Sequence, residues 1–351
     1  MAHESDVPDK LRSLGIRPAA EPRAPSSVLS IRRRDAATRT DYYFLYNQGI
    51  ASPPDEPRTL FEPATGYPVD REFTLEGRGQ PYLLDAWSGR ITPIVNYSVS
   101  GNGVTLRVRL ARDNGMLIAL SEQASRFGIA APDVHVTKTS ADDAVIEQGS
   151  VVIRASAAGA YTTTLSTGRV VRSSIGPVPP PIDLTHATWH LSAEDWQPMN
   201  PYATTFGAAA AQTRKDRIEL DLNGLKPWPD IPALQNASGL GTYTTTFELP
   251  ATWTAAHGAT LRLGDVFDTF TVMVNDRTIP IGQISAEGDI GSSLKAGKNT
   301  ITVRVATTLN NRLAKIDDDV ANRGLVQPYG LVGPVRLTPY GTATVWSKAT
   351  R

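Results

Sequence analysis

Apolar and polar residues alternate along much of this chain. In GVTLRVRL, Val104, Leu106, Val108 and Leu110 are separated by Thr105, Arg107 and Arg109. A period of two places successive side chains on opposite faces of a strand, so one face is buried and the other wetted. The same texture recurs in VLSIRRR, DYYFLYNQG, REFTLEGRG, YLLDAWSGRITPI and MLIALSE. Turn residues divide these runs: Asn47-Gln48-Gly49, Gly77-Arg78-Gly79, Ser88-Gly89, Gly101-Asn102-Gly103 and Asp113-Asn114-Gly115. WSGR, at Trp87 to Arg90, reads as a tight reversal between strands. Together they predict a β-sandwich over Val28 to Ser121. The insertion IASPPDEPRTLFEPATGYP, Ile50 to Pro68, is too Pro-rich for a central strand and reads as a surface loop.

VIEQGSVVIRA reads as a hairpin, and AYTTTLSTGRVVRSS as a second one turning at Ser166-Thr167-Gly168. Whether they complete the first sandwich or form their own unit stays open. GPVPPPI then reads as a semi-rigid connector. The last domain opens on TWHLSAEDW, passes through an irregular region that includes KPWPDIPAL, and is strand-rich from Gly239 to Tyr340. At the other end, VPDKLRSLG predicts one short helix with Gly15 as its stop, and PAAEPRAPSS reads as a linker. A helix followed by a linker looks like the end of something larger. The fold class is therefore all-β, with two β-sandwich domains. The expected limits are a helix stub and linker over 1–27, a sandwich with appended hairpins over 28–182, a second sandwich over 183–346, and a tail over 347–351.

Composition narrows the function. A length of 351 residues suits two or three domains. Lys plus Arg and Asp plus Glu each number 35, so the formal charge is zero. Nucleic-acid binders show a basic excess, and the one dense basic cluster, Arg32-Arg33-Arg34, reads as an exposed strand end. No apolar run approaches the ~20 residues that span a bilayer. No nucleic-acid or membrane partner is expected. There is no cysteine, which removes disulfides, thiolate nucleophiles and Cys-ligated metals. The N-terminus lacks the apolar core of a signal peptide.

Candidate chemistry is sparse. There is no Gly-x-Ser-x-Gly, and His3, His135, His186, His190 and His257 are scattered. His186 and His190 are four apart in HATWHL, but in a strand that separation is roughly 13 Å, poor for a shared metal. Glycoside hydrolysis needs two carboxyls at roughly 5–9 Å, one held protonated. Asp265 with Glu287 is the pair to test, while Asp268 and Asp289 also lie in turns. Asp265 could equally serve as a turn residue accepting backbone N–H bonds. Asp317-Asp318-Asp319 reads as a solvated loop or a structural calcium site, and no other cofactor is expected. Sugar recognition needs an aromatic face with polar groups around it. Trp228, Tyr243, Trp253 and Tyr329 are the candidate platforms. Asp265, Asp268, Asn310, Asn311 and Arg312 are the candidate rim. Each has a structural alternative: Trp253 packing under a strand end, Tyr243 in the core, Asn310 to Arg312 capping a loop.

Three phrases carry a family resemblance: SGLGTYTTTFELPATW, GDVFDTFTVMVNDRTIP and AGKNTITVRVATTLNNRL. They resemble the sugar-binding-type jelly-roll of family 2 glycoside hydrolases. With DYYFLYNQG, YLLDAWSGRITPI and YGLVGPVRL in the same order, the chain from about Leu11 to Tyr340 is more similar still to the C-terminal region of bacterial α-L-rhamnosidases of glycoside hydrolase family 106. The resemblance implies a galactose-binding-like jelly-roll as the second domain. It implies a secreted or periplasmic protein acting on a plant or microbial polysaccharide or glycoside, with a catalytic barrel encoded upstream. The catalytic glutamates of that family lie in the barrel, so no catalytic residue is carried over. The leading expectation is a non-catalytic accessory portion, carbohydrate-binding or barrel-buttressing. The alternatives are a glycosidase active through its own carboxylate pair and a free-standing glycan-binding or adhesion module. An aromatic platform ringed by Asp and Asn on the largest concave surface would favour glycan binding, whereas a flat, apolar, exposed patch would suggest a missing neighbour.

Overall fold

The computed structural model describes residues 7–24, 26–48, 68–123, 126–129, 131–199, 213–323 and 326–347. The Pro-rich insertion therefore falls outside the described residues except for Pro68, as does the tail beyond Ser347. The chain forms two compact units, dividing between Ile175 and Gly176 at the start of the Pro-rich connector. The end of the last strand, from Thr342, belongs with the first unit. Antiparallel sheets dominate both, and the all-β sandwich class holds.

In the first unit, Ala20–Pro22, Val69–Glu76, Gly103–Leu110 and Tyr97–Ser100 form one sheet in that spatial order. Val28–Asp35, Thr40–Asn47, Gly115–Ser121, Gln80–Leu84 and Ile91–Pro93 form a second. Tyr43, Leu45, Phe73, Leu75, Val104, Leu106, Val108 and Ile118 fill a shared core. The alternation in GVTLRVRL has its expected result, with Val104, Leu106, Val108 and Leu110 buried and Arg107 and Arg109 exposed. The two predicted hairpins pair Asp143–Glu147 with Ser150–Ala155 and Gly159–Leu165 with Val170–Ile175. The supposed linker contains a strand: Ala20, Glu21 and Pro22 pair with Leu75, Thr74 and Phe73. Its place at the sheet edge tolerates Pro22, which has no N–H to donate.

In the second unit, six strands form one sheet in the order Thr213–Asn223, Thr188–Pro198, Gly239–Leu249, Gly297–Ala306, Thr269–Val274 and Arg277–Ile279. His257–Arg262 lies between Glu287–Asp289 and Arg336 to Gly341 in the sheet that faces it. Trp189, Leu191, Tyr243, Phe247, Leu261, Val272, Ile301, Val303 and Leu337 belong to the one core cluster of this unit. Thr213–Asn223 is a strand inside the stretch read as irregular, although Ile218, Leu220 and Leu222, which face the core, alternate with Arg217, Glu219 and Asp221. Only Leu222 is buried in it, and it occupies a sheet edge.

The phrases that carry the resemblance are tied together by asparagines. Asn275 and Asp276 both have positive φ, 48° and 64°, as a two-residue reversal between twisted strands requires. Asn275 Nδ2 donates to Asn299 Oδ1 at 2.8 Å, and Asn275 Oδ1 accepts from Thr300 N at 2.9 Å. Asn299, of the GKNT phrase, is fully buried, and its amide donates to the carbonyls of Lys295 and Gly297. These motif residues build turns.

Candidate functional site

Seven of the nine candidate site residues converge on one end of the jelly-roll. Trp228 sits on a single 3-10 turn, Trp228–Asp230, and its indole N–H donates to Tyr243 Oη at 2.6 Å. Tyr329 meets the Trp228 ring edge-to-face, with centroids 6.4 Å apart and planes at 89°. Trp189 meets Tyr243 the same way at 6.5 Å. Tyr329 Oη pairs with Thr308 Oγ1 at 2.5 Å and accepts from Asn311 N at 3.3 Å. The Asn311 side chain imitates a backbone pair with Gln327, donating to its carbonyl and accepting from its N–H, both at 2.8 Å. Asp268 Oδ2 accepts from Thr308 N at 2.9 Å. Asn310 N donates to Thr308 Oγ1 at 3.3 Å. Arg312 forms an ion pair with Asp195, whose other oxygen accepts from Ser238 N at 3.2 Å.

The proposed platforms are not platforms. Trp228, Tyr243 and Tyr329 have no exposed surface, and Trp253 retains 7% of its own. A sugar cannot stack on a ring face that is already covered. Burial also pushes the Tyr243 hydroxyl up to about 12. Space between the rings is fully used: a Cβ on Gly330, at φ +102°, would lie 2.3 Å from Tyr243 Oη and 2.6 Å from the Trp228 ring. One on Gly241 would lie 2.6 Å from the same indole. Trp253 takes no part in this cluster and stacks on His257 at 5.3 Å.

Several polar candidates are likewise engaged. Asn310, Asn311 and Arg312 begin a helix, Asn310–Ile316, where a loop was expected. The network also recruits Thr308, Gln327, Ser238 and Asp195, which the sequence reading missed. Asp195 had a legible signal: it continues the inward phase of Trp189, Leu191 and Ala193, where a carboxylate demands a partner. Asp268 and Thr308 remain at the surface.

The two carboxylates of the candidate pair lie on different strands in unlike surroundings. Asp265 is half-buried in a two-strand ribbon opposite Gly333, and burial raises its carboxyl above the ordinary value. Glu287 is exposed at a sheet edge opposite Arg262. Asp317 Oδ1 accepts from the backbone of Asp319 and Val320 at 2.9 and 3.2 Å, which is the work of a helix cap. Among the described residues, no three His, Asp or Glu side chains gather as a metal-binding group. In the first unit, a cleft of about 180 Å³ is lined by Glu72, Asn96, Arg107, Lys138 and Asp142. Its carboxylates are occupied, Glu72 by Arg23 and Asp142 by Ser156.

Two histidines have pKa values displaced in opposite directions. His190 Nδ1 lies 2.9 Å from Asp221 and Nε2 lies 3.1 Å from Glu219. Hydrogen bonding to Asp221, then the two carboxylate charges, raises its pKa. His135 stacks on Tyr97 at 3.8 Å, and burial lowers its pKa. His190 therefore supports the fold fully below about 6.5, and that support is lost as pH rises through its raised value. His135 acts oppositely: its penalty is absent above about 6.5 and grows as pH falls toward its lowered value. We expect ring C–H NMR titrations, assigned with His190→Gln and His135→Gln, to bracket the ordinary value. A His190 midpoint at or below the ordinary value would refute its assignment, and a His135 midpoint at or above that value would refute the other.

Residues 223–324 match the family described as glycosyl hydrolases family 2, sugar binding domain. The structure and this match agree on a jelly-roll of the glycosidase type. This chain contains a glycosidase-related β-sandwich. A β-galactosidase of Arthrobacter sp. (strain B7) is 35% identical over 85 residues, covering 22% of this chain and 8% of that protein. The solved rhamnosidase from Novosphingobium sp. PP1Y superposes with a TM-score of 0.55 at 20% identity, over 96% of this chain and 26% of that one. A β-D-glucuronidase of Dictyoglomus thermophilum covers 35% of this chain and 20% of its own at a TM-score of 0.23 and 19% identity. The chain thus spans about a quarter of the rhamnosidase and under a tenth of the β-galactosidase. Among the described residues, no helix is long and apolar enough to cross a membrane.

Proposed function

We propose that this chain is the non-catalytic accessory portion of an α-L-rhamnosidase-like glycoside hydrolase, and that it buttresses a catalytic domain. The observation that carries this reading is the use made of the candidate platform residues and of the asparagines in the resemblance phrases. Trp228, Tyr243, Asn275, Asn299, Asn311 and Tyr329 all hold the jelly-roll together from within. Stacking on sugar is thereby disfavoured, while a rigid scaffold is what such a network produces. The whole enzyme would act outside the cytoplasm on a rhamnose-containing glycoside, with its acid and base supplied by a barrel encoded upstream.

The test is direct. The purified chain, incubated with p-nitrophenyl α-L-rhamnopyranoside, should release no nitrophenol above the buffer rate. Turnover that disappears in Asp265→Asn would establish an enzyme in its own right and overturn the accessory reading.

A further inference from the structure

The edge strand Thr213–Asn223 carries its charges in an order that suits a second copy of itself. Among the described residues it pairs on one side only, with Thr188–Pro198. Along its exposed face the signs run basic, then acidic: Lys215, Arg217, Glu219, Asp221. Backbone direction follows the same parity. Trp196 N donates to Ser238 O, so the even residues of Thr188–Pro198 hydrogen-bond toward Gly239–Leu249 and the odd ones toward the edge strand. Asp195, Ala193 and Leu191 stand opposite Asp216, Ile218 and Leu220, which therefore make the ladder bonds. Residues 215, 217, 219 and 221 turn their N–H and C=O groups to the open side. A strand of 11 residues left open in this way is a template for another strand.

Charge selects the register of antiparallel self-pairing. Centred on Ile218, the strand sets Arg217 opposite the partner's Glu219 and Lys215 opposite the partner's Asp221, and symmetry makes each pair twice. Centring on Arg217 or on Glu219 puts like charges together at the axis. Centring on Asp216 opposes Lys215 to the partner's Arg217, and centring on Leu220 opposes Glu219 to the partner's Asp221. Like charges directly opposite are destabilising, and opposite charges stabilise. The Ile218 register also brings the open backbone groups of 217 and 219 face to face. It leaves Ile218 against the partner's Ile218 at a non-hydrogen-bonded position, where Cα atoms approach to about 4.5 Å. Asp216, which meets the partner's Leu220 in this register, is already satisfied by Gln197 and Arg214. An edge of one sign would repel its copy, whereas this antisymmetric order attracts it.

We propose that two copies of this chain associate through Thr213–Asn223, centred on Ile218, and join their six-stranded sheets into one continuous sheet across a two-fold axis. The charged side chains are free to exchange partners. Arg217 and Glu219 pair with each other within one strand and are 73% and 43% exposed. The dimer goes beyond the accessory reading and does not depend on it.

Sedimentation velocity of the purified chain over a concentration series should show a reversible dimer. Arg217→Glu opposes two acids at both symmetric positions and should weaken the dimer by roughly tenfold or more. Glu219→Arg should do the same by opposing two bases. The double variant Arg217→Glu with Glu219→Arg exchanges the signs and should restore the parent dimer. The chain has no cysteine, so Ile218→Cys introduces a single thiol. Under a mild oxidant it should yield a disulfide-linked dimer across the axis, whereas Arg217→Cys, whose thiols lie two residues out of register, should not. A monomer at every concentration would overturn the proposal. So would a dimer indifferent to both single charge reversals, or one that the double variant fails to restore.

Discussion

Trp228→Ala should destabilise the jelly-roll by roughly 3–5 kcal/mol, the usual cost of deleting a fully buried large aromatic side chain. The substitution leaves a cavity beside Tyr329 and Gly241 and strips Tyr243 Oη of its indole donor. For a domain of this size, 1 kcal/mol corresponds to about 2–4 °C, so the melting temperature should fall on the order of 10 °C. Trp228→Phe refills most of the volume but still loses the N–H. It should cost less, roughly 1–3 kcal/mol. An exposed sugar platform would behave otherwise: Trp228→Ala would abolish binding and leave melting within about 0.5 kcal/mol of the parent. Differential scanning calorimetry of the two variants separates the alternatives. Unchanged melting in Trp228→Ala would mean that the indole does not occupy the core.

How far the chain could be read in advance follows from where each signal resides. Strand periodicity is local, so Gly103–Leu110 and both hairpins of the first unit were legible from a few residues each. The turn at Asn275 and Asp276 is equally local, being set by two adjacent residues of VNDRT at positive φ. Ring burial is not local. Tyr329 is covered by Trp228, and Trp228 by Tyr243, through elements that meet only in the folded sheet. Aromatic residues beside Asp and Asn look alike in sequence whether they form a binding face or a core. The strand Thr213–Asn223 was legible in principle, since Ile218, Leu220 and Leu222 alternate with Arg217, Glu219 and Asp221, the same local signal as in Gly103–Leu110. The exposed pairing of Ile31 with Phe44 was hidden, because the two become neighbours only through register.

Arg312→Ala should be comparably damaging, by a different route. Asp195 is 5% exposed, and Arg312 neutralises it across the base of the 308–329 loop system. Removing the guanidinium leaves a buried carboxylate with, among the described residues, Ser238 N and the Gln197 amide as partners. Breaking a buried pair in this way costs roughly 3–5 kcal/mol, more than the pair itself contributes. The loss should begin locally. Arg312 N also donates to Ser238 Oγ at 3.2 Å, and Asn311 beside it holds Gln327, so hydrogen exchange should quicken first across 308–316 and 326–331. The double variant Asp195→Leu with Arg312→Met removes both charges and should recover most of the stability. A double variant no better than Arg312→Ala would show that guanidinium packing, rather than the orphaned charge, holds the loop. That outcome would place the damage in the unpaired shape of the site, because Arg312 Nε is already buried without a partner. Recovery would identify Asp195 and Arg312 as the electrostatic fastening that keeps Tyr329 over Trp228, and so keeps both aromatic faces closed to solvent.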